Sequence, residues 1–186
     1  MNMRAKASST TDNVDPYRDL RMDMSTHSLQ VIDYAHHEIH SGSSYTVSKA
    51  FTVPAGTKVN LGIVTPNTAK WAHMTFDVTC DAAYTANFYE GDDYSGGTGV
   101  TEINRNRNST NTAGVAVTHT DTDQGSGAGT LIWTFSGGAN KSVTTAGSDR
   151  HEFILKQNTS YLLEVVASLN DVAHMSLDWY EHEDKS

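Results

Sequence analysis

The densest set of metal-ligating side chains in the sequence is His36-His37-Glu38-Ile39-His40. Imidazole nitrogens and carboxylate oxygens are the donors that zinc takes. The spacing is not the HExxH pattern of a zinc protease helix. On a strand, His36, Glu38 and His40 share one face and His37 points the other way. His36 and His40 would then stand roughly 13 Å apart, too far to share one ion. On a helix the same pair would meet. A metal would also need donors from elsewhere, and His73, His174 and His182 are the imidazoles on offer. The 30–40 segment reads as extended, so these rings are expected on a polar strand face or at a subunit contact. No metal or other cofactor is expected.

Other reactive types are equally short of partners. Cys80 falls on the apolar side of an alternating run, where a thiol is inert packing. No G-x-S-x-G elbow occurs. Asp92-Asp93 and Asp121-Thr-Asp123 do not continue into a calcium loop and read as solvated loop carboxylates. Gly125-Ser-Gly-Ala-Gly129 leads into a strand; a phosphate cradle would have to open a helix. The basic cluster Asn104-Arg-Asn-Arg-Asn-Ser109 puts forked donors on Arg105 and Arg107. It suits a loop held against a neighbouring chain, or equally one packed within its own domain. Of three tryptophans, Trp133 and Trp179 fall on apolar faces. Trp71 falls on a polar face beside His73, the one candidate for an exposed glycan platform. On these grounds the chain is not expected to be an enzyme.

The elements that position these residues have a period of two. In the run 71–80, Ala72, Met74, Phe76, Val78 and Cys80 share one face, and Trp71, His73, Thr75, Asp77 and Thr79 the other. Near the end, Ala173, Met175, Leu177 and Trp179 face in, while His174, Ser176, Asp178 and Tyr180 face out. Similar alternation marks Val59-Leu61-Ile63, Tyr84-Ala86-Phe88, Leu131-Trp133-Phe135 and Tyr161-Leu163-Val165. Between the runs stand turn formers such as Pro54-Ala-Gly56, Gly96-Gly97 and Gln157-Asn158. In 186 residues there are 23 Thr, 18 Ser, 12 Asn and 14 Gly, but only 19% charged residues. A helical bundle would be rich in Ala, Glu, Lys, Leu and Arg instead. The expected fold is all-β: an antiparallel two-sheet β-sandwich of jelly-roll type, with an N-terminal extended arm.

Residues 1–28 form the arm, a docking or assembly segment, and 29–186 the sandwich domain. The arm carries four methionines and both signs of charge, and is too polar to form a core alone. Tyr17, Arg18, Leu20 and Arg21 are its candidate contacts with a partner. No apolar stretch follows Arg4 and Lys6, so no secretory signal is expected, and no apolar run is long enough to span a membrane. One cysteine excludes an internal disulfide framework. A net charge of -9 argues against nonspecific nucleic-acid binding, which needs a basic surface.

The order of several motifs adds a resemblance. Ala35-His-His-Glu-Ile-His-Ser-Gly42 leads into Tyr45, followed by Val64-Thr-Pro-Asn-Thr-Ala-Lys-Trp-Ala-His73 and Phe88-Tyr-Glu-Gly91. Asn104-Arg-Asn-Arg-Asn-Ser109, Arg150-His-Glu-Phe-Ile-Leu-Lys-Gln-Asn-Thr-Ser-Tyr161 and Asp178-Trp-Tyr-Glu-His182 complete the series. This succession resembles small β-rich virion proteins of tailed bacteriophages, of the head-decoration or auxiliary-capsid type. The resemblance covers residues 30–182. It implies a structural protein on the capsid surface, assembled in the host cytoplasm. Its partners would be the major capsid protein and copies of itself in a homotrimer, with no nucleic acid and no membrane. His36, His40, Arg105 and Arg107 join the arm residues as candidate subunit or capsid contacts. A tail, adaptor or fibre-base component is the nearest alternative, and a carbohydrate-binding module built on Trp71 the next.

Overall fold

The computed structural model describes residues 4–6, 17–19, 34–92, 96–120, 129–138, 141–144 and 152–183. The chain divides into two compact units, Met1–His37 and Glu38–Ser186. In the first, β1 (Arg4–Lys6) pairs antiparallel with β2 (Tyr17–Asp19). Helix α1 (Tyr34–Ser41) is the only helix among the described residues, too short to cross a membrane. The second unit is a two-sheet antiparallel sandwich.

The sandwich strands are β3 (Ser44–Val53), β4 (Lys58–Val64), β5 (Lys70–Cys80), β6 (Tyr84–Glu90), β7 (Thr98–Val100), β8 (Ile103–Asn104), β9 (Ala116–Thr120), β10 (Thr130–Gly137), β11 (Lys141–Thr144), β12 (Phe153–Leu155), β13 (Ser160–Ala167) and β14 (Asp171–Glu183). One sheet runs in the order β10-β6-β13-β4-β9-β7. The other runs β11-β5-β14-β3-β8, with β12 also paired to β5. The frame of the second sheet is β5 against β14, in register from Ala173↔Cys80 to Glu183↔Lys70.

Alternation decides which side chains meet between the sheets. Ala72, Met74, Phe76, Val78 and Cys80 of β5 are buried, as are Ala173, Met175, Leu177 and Trp179 of β14. The other sheet supplies Leu61, Ile63, Ala86, Phe88, Tyr161, Leu163 and Val165. Phe76 lies at the centre of an aromatic cluster. Its ring is 5.2 Å from Phe88, 5.9 Å from Phe153, and edge-on to Trp133 at 4.9 Å. Such offset and edge-on pairs add to the area each ring buries.

Two expectations are corrected. The 34–41 segment is a helix, not an extended strand. Its C-terminus is set by Gly42, in the left-handed region at φ 75°. The Gly42 N–H donates to the Ile39 carbonyl and the Ser43 N–H to the Glu38 carbonyl, both at 3.1 Å. That pair of bonds is a Schellman cap, whose geometry favours glycine. In β10, Leu131 does not share the inward face of Trp133 and Phe135. A register shift between Leu131 and Trp133 leaves Leu131 and Ile132 exposed on an edge strand.

Candidate functional site

The outer face of β5 and β14 carries the most concentrated chemistry among the described residues. Cross-strand register builds it. Tyr180 pairs with His73 and His182 with Trp71, while Ile154 of β12 flanks His73 on the other side. Residues two apart on a strand share a face, so Trp71 and His73 lie along one strand and Tyr180 and His182 along the next. Glu152, just before β12, reaches the same place.

These side chains form one hydrogen-bonded and stacked group. His73 Nδ1 lies 2.7 Å from Glu152 Oε1 and 3.2 Å from the Tyr180 hydroxyl. The Tyr180 hydroxyl donates to the same Glu152 oxygen at 2.9 Å. On its other side, His73 Nε2 lies 2.8 Å from His182 Nε2. His182 Nδ1 lies 2.8 Å from the carbonyl oxygen of Glu183. The His73 and Tyr180 rings stack at 4.7 Å, and the two imidazoles are 4.5 Å apart. The His73 side chain is only 12% exposed and that of Glu152 19%. Beside the group opens a cleft of about 340 Å³, lined by Trp71, Ile154, Leu155, Lys156 and Gln157. The arrangement offers acid–base groups, stacking faces and an apolar margin, since Ile154 is 55% exposed.

The strand that carries Tyr180 and His182 is braced from the opposite side. Glu181 is buried, and its carboxylate accepts from the Gly114 and Val115 N–H groups and from Trp179 Nε1, at 2.9–3.0 Å. Glu164 of β13 is likewise buried and paired with Lys58 at 2.8 Å and Asn87 at 3.0 Å. Buried carboxylates held this way fix backbone and neighbours, because leaving such donors unmet is costly. Further along β5, burial, and then Asp178 beside it, holds the Asp77 carboxyl above the usual carboxylate range.

Of the residues singled out from the sequence, His73 and His182 meet, with Trp71 beside them, and the candidate contact residues do not converge. Trp71 is half-buried and lines the cleft beside the group just described. His36 and His40 are both exposed on α1, where positions four apart share a face instead of lying along a strand. Arg105 and Arg107 are exposed on a loop packed within its own domain. Arg105 lies 3.8 Å from Asp178, and Arg107 Nη1 donates to the Asn104 carbonyl at 3.3 Å. The loop's asparagines hold it: Asn106 Nδ2 donates to the His40 carbonyl at 3.0 Å and Asn104 Nδ2 to the Gly42 carbonyl at 2.9 Å. The His40 carbonyl is one of those at the helix C-terminus that lack an intrahelical partner, and the Gly42 carbonyl follows just beyond it. Tyr17 and Arg18 belong to β2, in the other unit, and Leu20 and Arg21 lie outside the described residues. Cys80 is buried, and burial pushes its thiol up, away from the reactive thiolate.

Sequence reading placed Trp71, His73 and Tyr180 on outward faces but missed that Glu152, His73, Tyr180 and His182 meet. The available signal was the pair of i, i+2 sets on two long alternating strands. What was absent was the register that sets one beside the other. Among the described residues, no three His, Cys, Asp or Glu side chains are placed to hold one metal ion. No protein-family model, curated protein or solved structure matches the chain.

Proposed function

We propose that this chain is a structural protein of a tailed-bacteriophage virion that decorates or cements the capsid surface. It would act by binding adjacent copies of the major capsid protein, as a homotrimer, and the jelly-roll assignment of its sheets belongs to the same proposal. The observation that supports this best is a sandwich face on which a largely buried group of stacked rings underlies an exposed apolar margin. Ile154 is 55% exposed and Trp71 half-buried, beside the stacked rings of His73, Tyr180 and His182, of which Tyr180 is buried. Aromatic side chains held in fixed positions carry much of the energy of protein contacts. Covering that face across a boundary between capsid subunits would resist their separation. The net charge of -9 keeps the free protein soluble before assembly.

Copy number tests the proposal. Quantitative mass spectrometry of purified particles should give a count that follows the capsid lattice. Tens of copies or fewer would move the protein to a tail, adaptor or fibre-base position. Its absence from particles would overturn the reading. Trp71→Ala should lower occupancy without changing the fold.

One observation favours a second reading. Trp71 lines the 340 Å³ cleft, and its ring face suits a sugar ring; Lys156 and Gln157 in the same cleft already donate to Glu90 and to the Thr68 and Lys70 carbonyls. A glycan array on wild type and Trp71→Ala separates the two.

A further inference from the structure

The Nδ1 hydrogens of the two facing histidines follow from the groups those nitrogens meet. His182 Nδ1 meets a backbone carbonyl, which only accepts, so this nitrogen carries its hydrogen and donates to Glu183. His73 Nδ1 meets the Glu152 carboxylate, whose oxygen also receives the Tyr180 hydroxyl hydrogen. This nitrogen therefore donates as well. Both neutral rings are thus the Nδ1–H tautomer, and each turns an Nε2 lone pair toward the other at 2.8 Å. Two lone pairs at that distance repel. A positive charge at the gap turns the repulsion into attraction.

We propose that His73 and His182 form a two-nitrogen site for a late first-row divalent cation. Three features agree. The first is distance. With metal–nitrogen bonds of about 2.0–2.1 Å, ligands at a right angle stand about 2.9 Å apart and tetrahedral ones about 3.3 Å. The observed 2.8 Å suits the right angle almost unchanged, which is the preference of copper and nickel, and needs a small opening for zinc. The second is the surrounding shell. Metal-bound histidines donate their other N–H to a carboxylate or carbonyl, and here Glu152 and the Glu183 carbonyl fill those roles. The third is rigidity. The ligands project from strands β5 and β14, which stay in register through this region. The protein supplies two donors, and water or a donor from a bound partner completes the shell. The site does not depend on the virion reading.

The test uses full-length, tag-free protein titrated calorimetrically with Cu²⁺, Ni²⁺ and Zn²⁺. One equivalent should bind, Cu²⁺ most tightly. His73→Gln and His182→Gln should each weaken binding at least about 100-fold, and Glu152→Gln roughly 10–100-fold through the lost outer hydrogen bond. His174→Gln, an exposed position on the same strand, should change nothing. Cu²⁺ broadening of NMR signals should centre on the His73 and His182 rings. That map on the wild type decides the matter if a variant fails to fold. Broadening centred elsewhere, affinity weaker than millimolar, or binding indifferent to both ligand variants overturns the proposal. So does a proton shared between the rings that persists at saturating metal.

Discussion

Glu181 lies between Tyr180 and His182, and strand alternation turns it away from them, toward the core. There it receives two backbone N–H groups and the indole N–H of Trp179, which itself is 2% exposed. Its negative charge also reaches Tyr45, whose phenol is pushed up by burial first and by Glu181 second. Glu181→Ala leaves those donors without an acceptor inside the protein. Each such loss costs about 1–3 kcal/mol. Urea denaturation should therefore show a destabilisation of about 3 kcal/mol, and the outward rings should lose their fixed geometry. A loss under about 0.5 kcal/mol would mean that water replaces the carboxylate.

At the scale of elements, the junction between α1 and β3 is the point where sequence reading failed, and its parts show why. Eight residues carry too little periodicity to distinguish helix from strand, and three histidines in them favour neither. The deciding signal was Gly42, directly after Ser41, a helix stop, not the ligand pattern. Gly42 is doubly constrained. Its φ is positive, and a Cβ built there would stand 2.8 Å from Ser109 Cβ, with Ser109 Oγ closer still. Gly42→Ala should cost about 2 kcal/mol, from left-handed strain together with displacement of the 104–111 loop. Thermal unfolding of the variant measures it. An unchanged melting temperature would show that the loop moves aside freely. By contrast, alternation assigns the residues of β5 to their observed faces, and those of β14 as far as Trp179; Tyr180, expected to face out, is only 9% exposed, stacked on His73 and bonded to Glu152. Eleven and thirteen residues give alternation time to declare itself, and both faces differ sharply in polarity.

For the molecule as a whole, the buried phenols set the alkaline limit of stability. Tyr161 is enclosed between the sheets, its hydroxyl accepting from the Lys156 N–H at 2.8 Å and lying 3.2 Å from Glu90. Burial, the largest cause, pushes its pKa up to about 12 from 10.0. The folded state thus holds a proton that the unfolded chain releases. Stability from this group is complete below about pH 10 and is lost as pH rises through about 12. Unfolding free energy from pH 8 to 12 should begin to fall near 10, and Tyr161→Phe should reduce that slope while costing something at neutral pH. An equal slope in the variant would assign the decline to other groups.

Composition and alternation alone determined that this is a sandwich, because a period of two with polar and apolar faces has few stable solutions. They also determined that Cys80, Met74, Phe76 and Trp179 lie inside and that Trp71 and His73 lie on the outer face, whereas the burial of Tyr180 on that face was decided by His73 and Glu152 packing against it. The loop around Arg105 and Arg107 could be read either way, and only folding showed its asparagines closing the end of α1. Tertiary structure likewise decided the site. Glu152 and His182 are far from His73 in the chain, and nothing local fixes their meeting. It depends on the register of β14 and β12 against β5, and a slip of one residue would turn each outward ring into the core. That register is set by the packing of the inner face, so the residues that fix the site's geometry are mostly not the residues that form it.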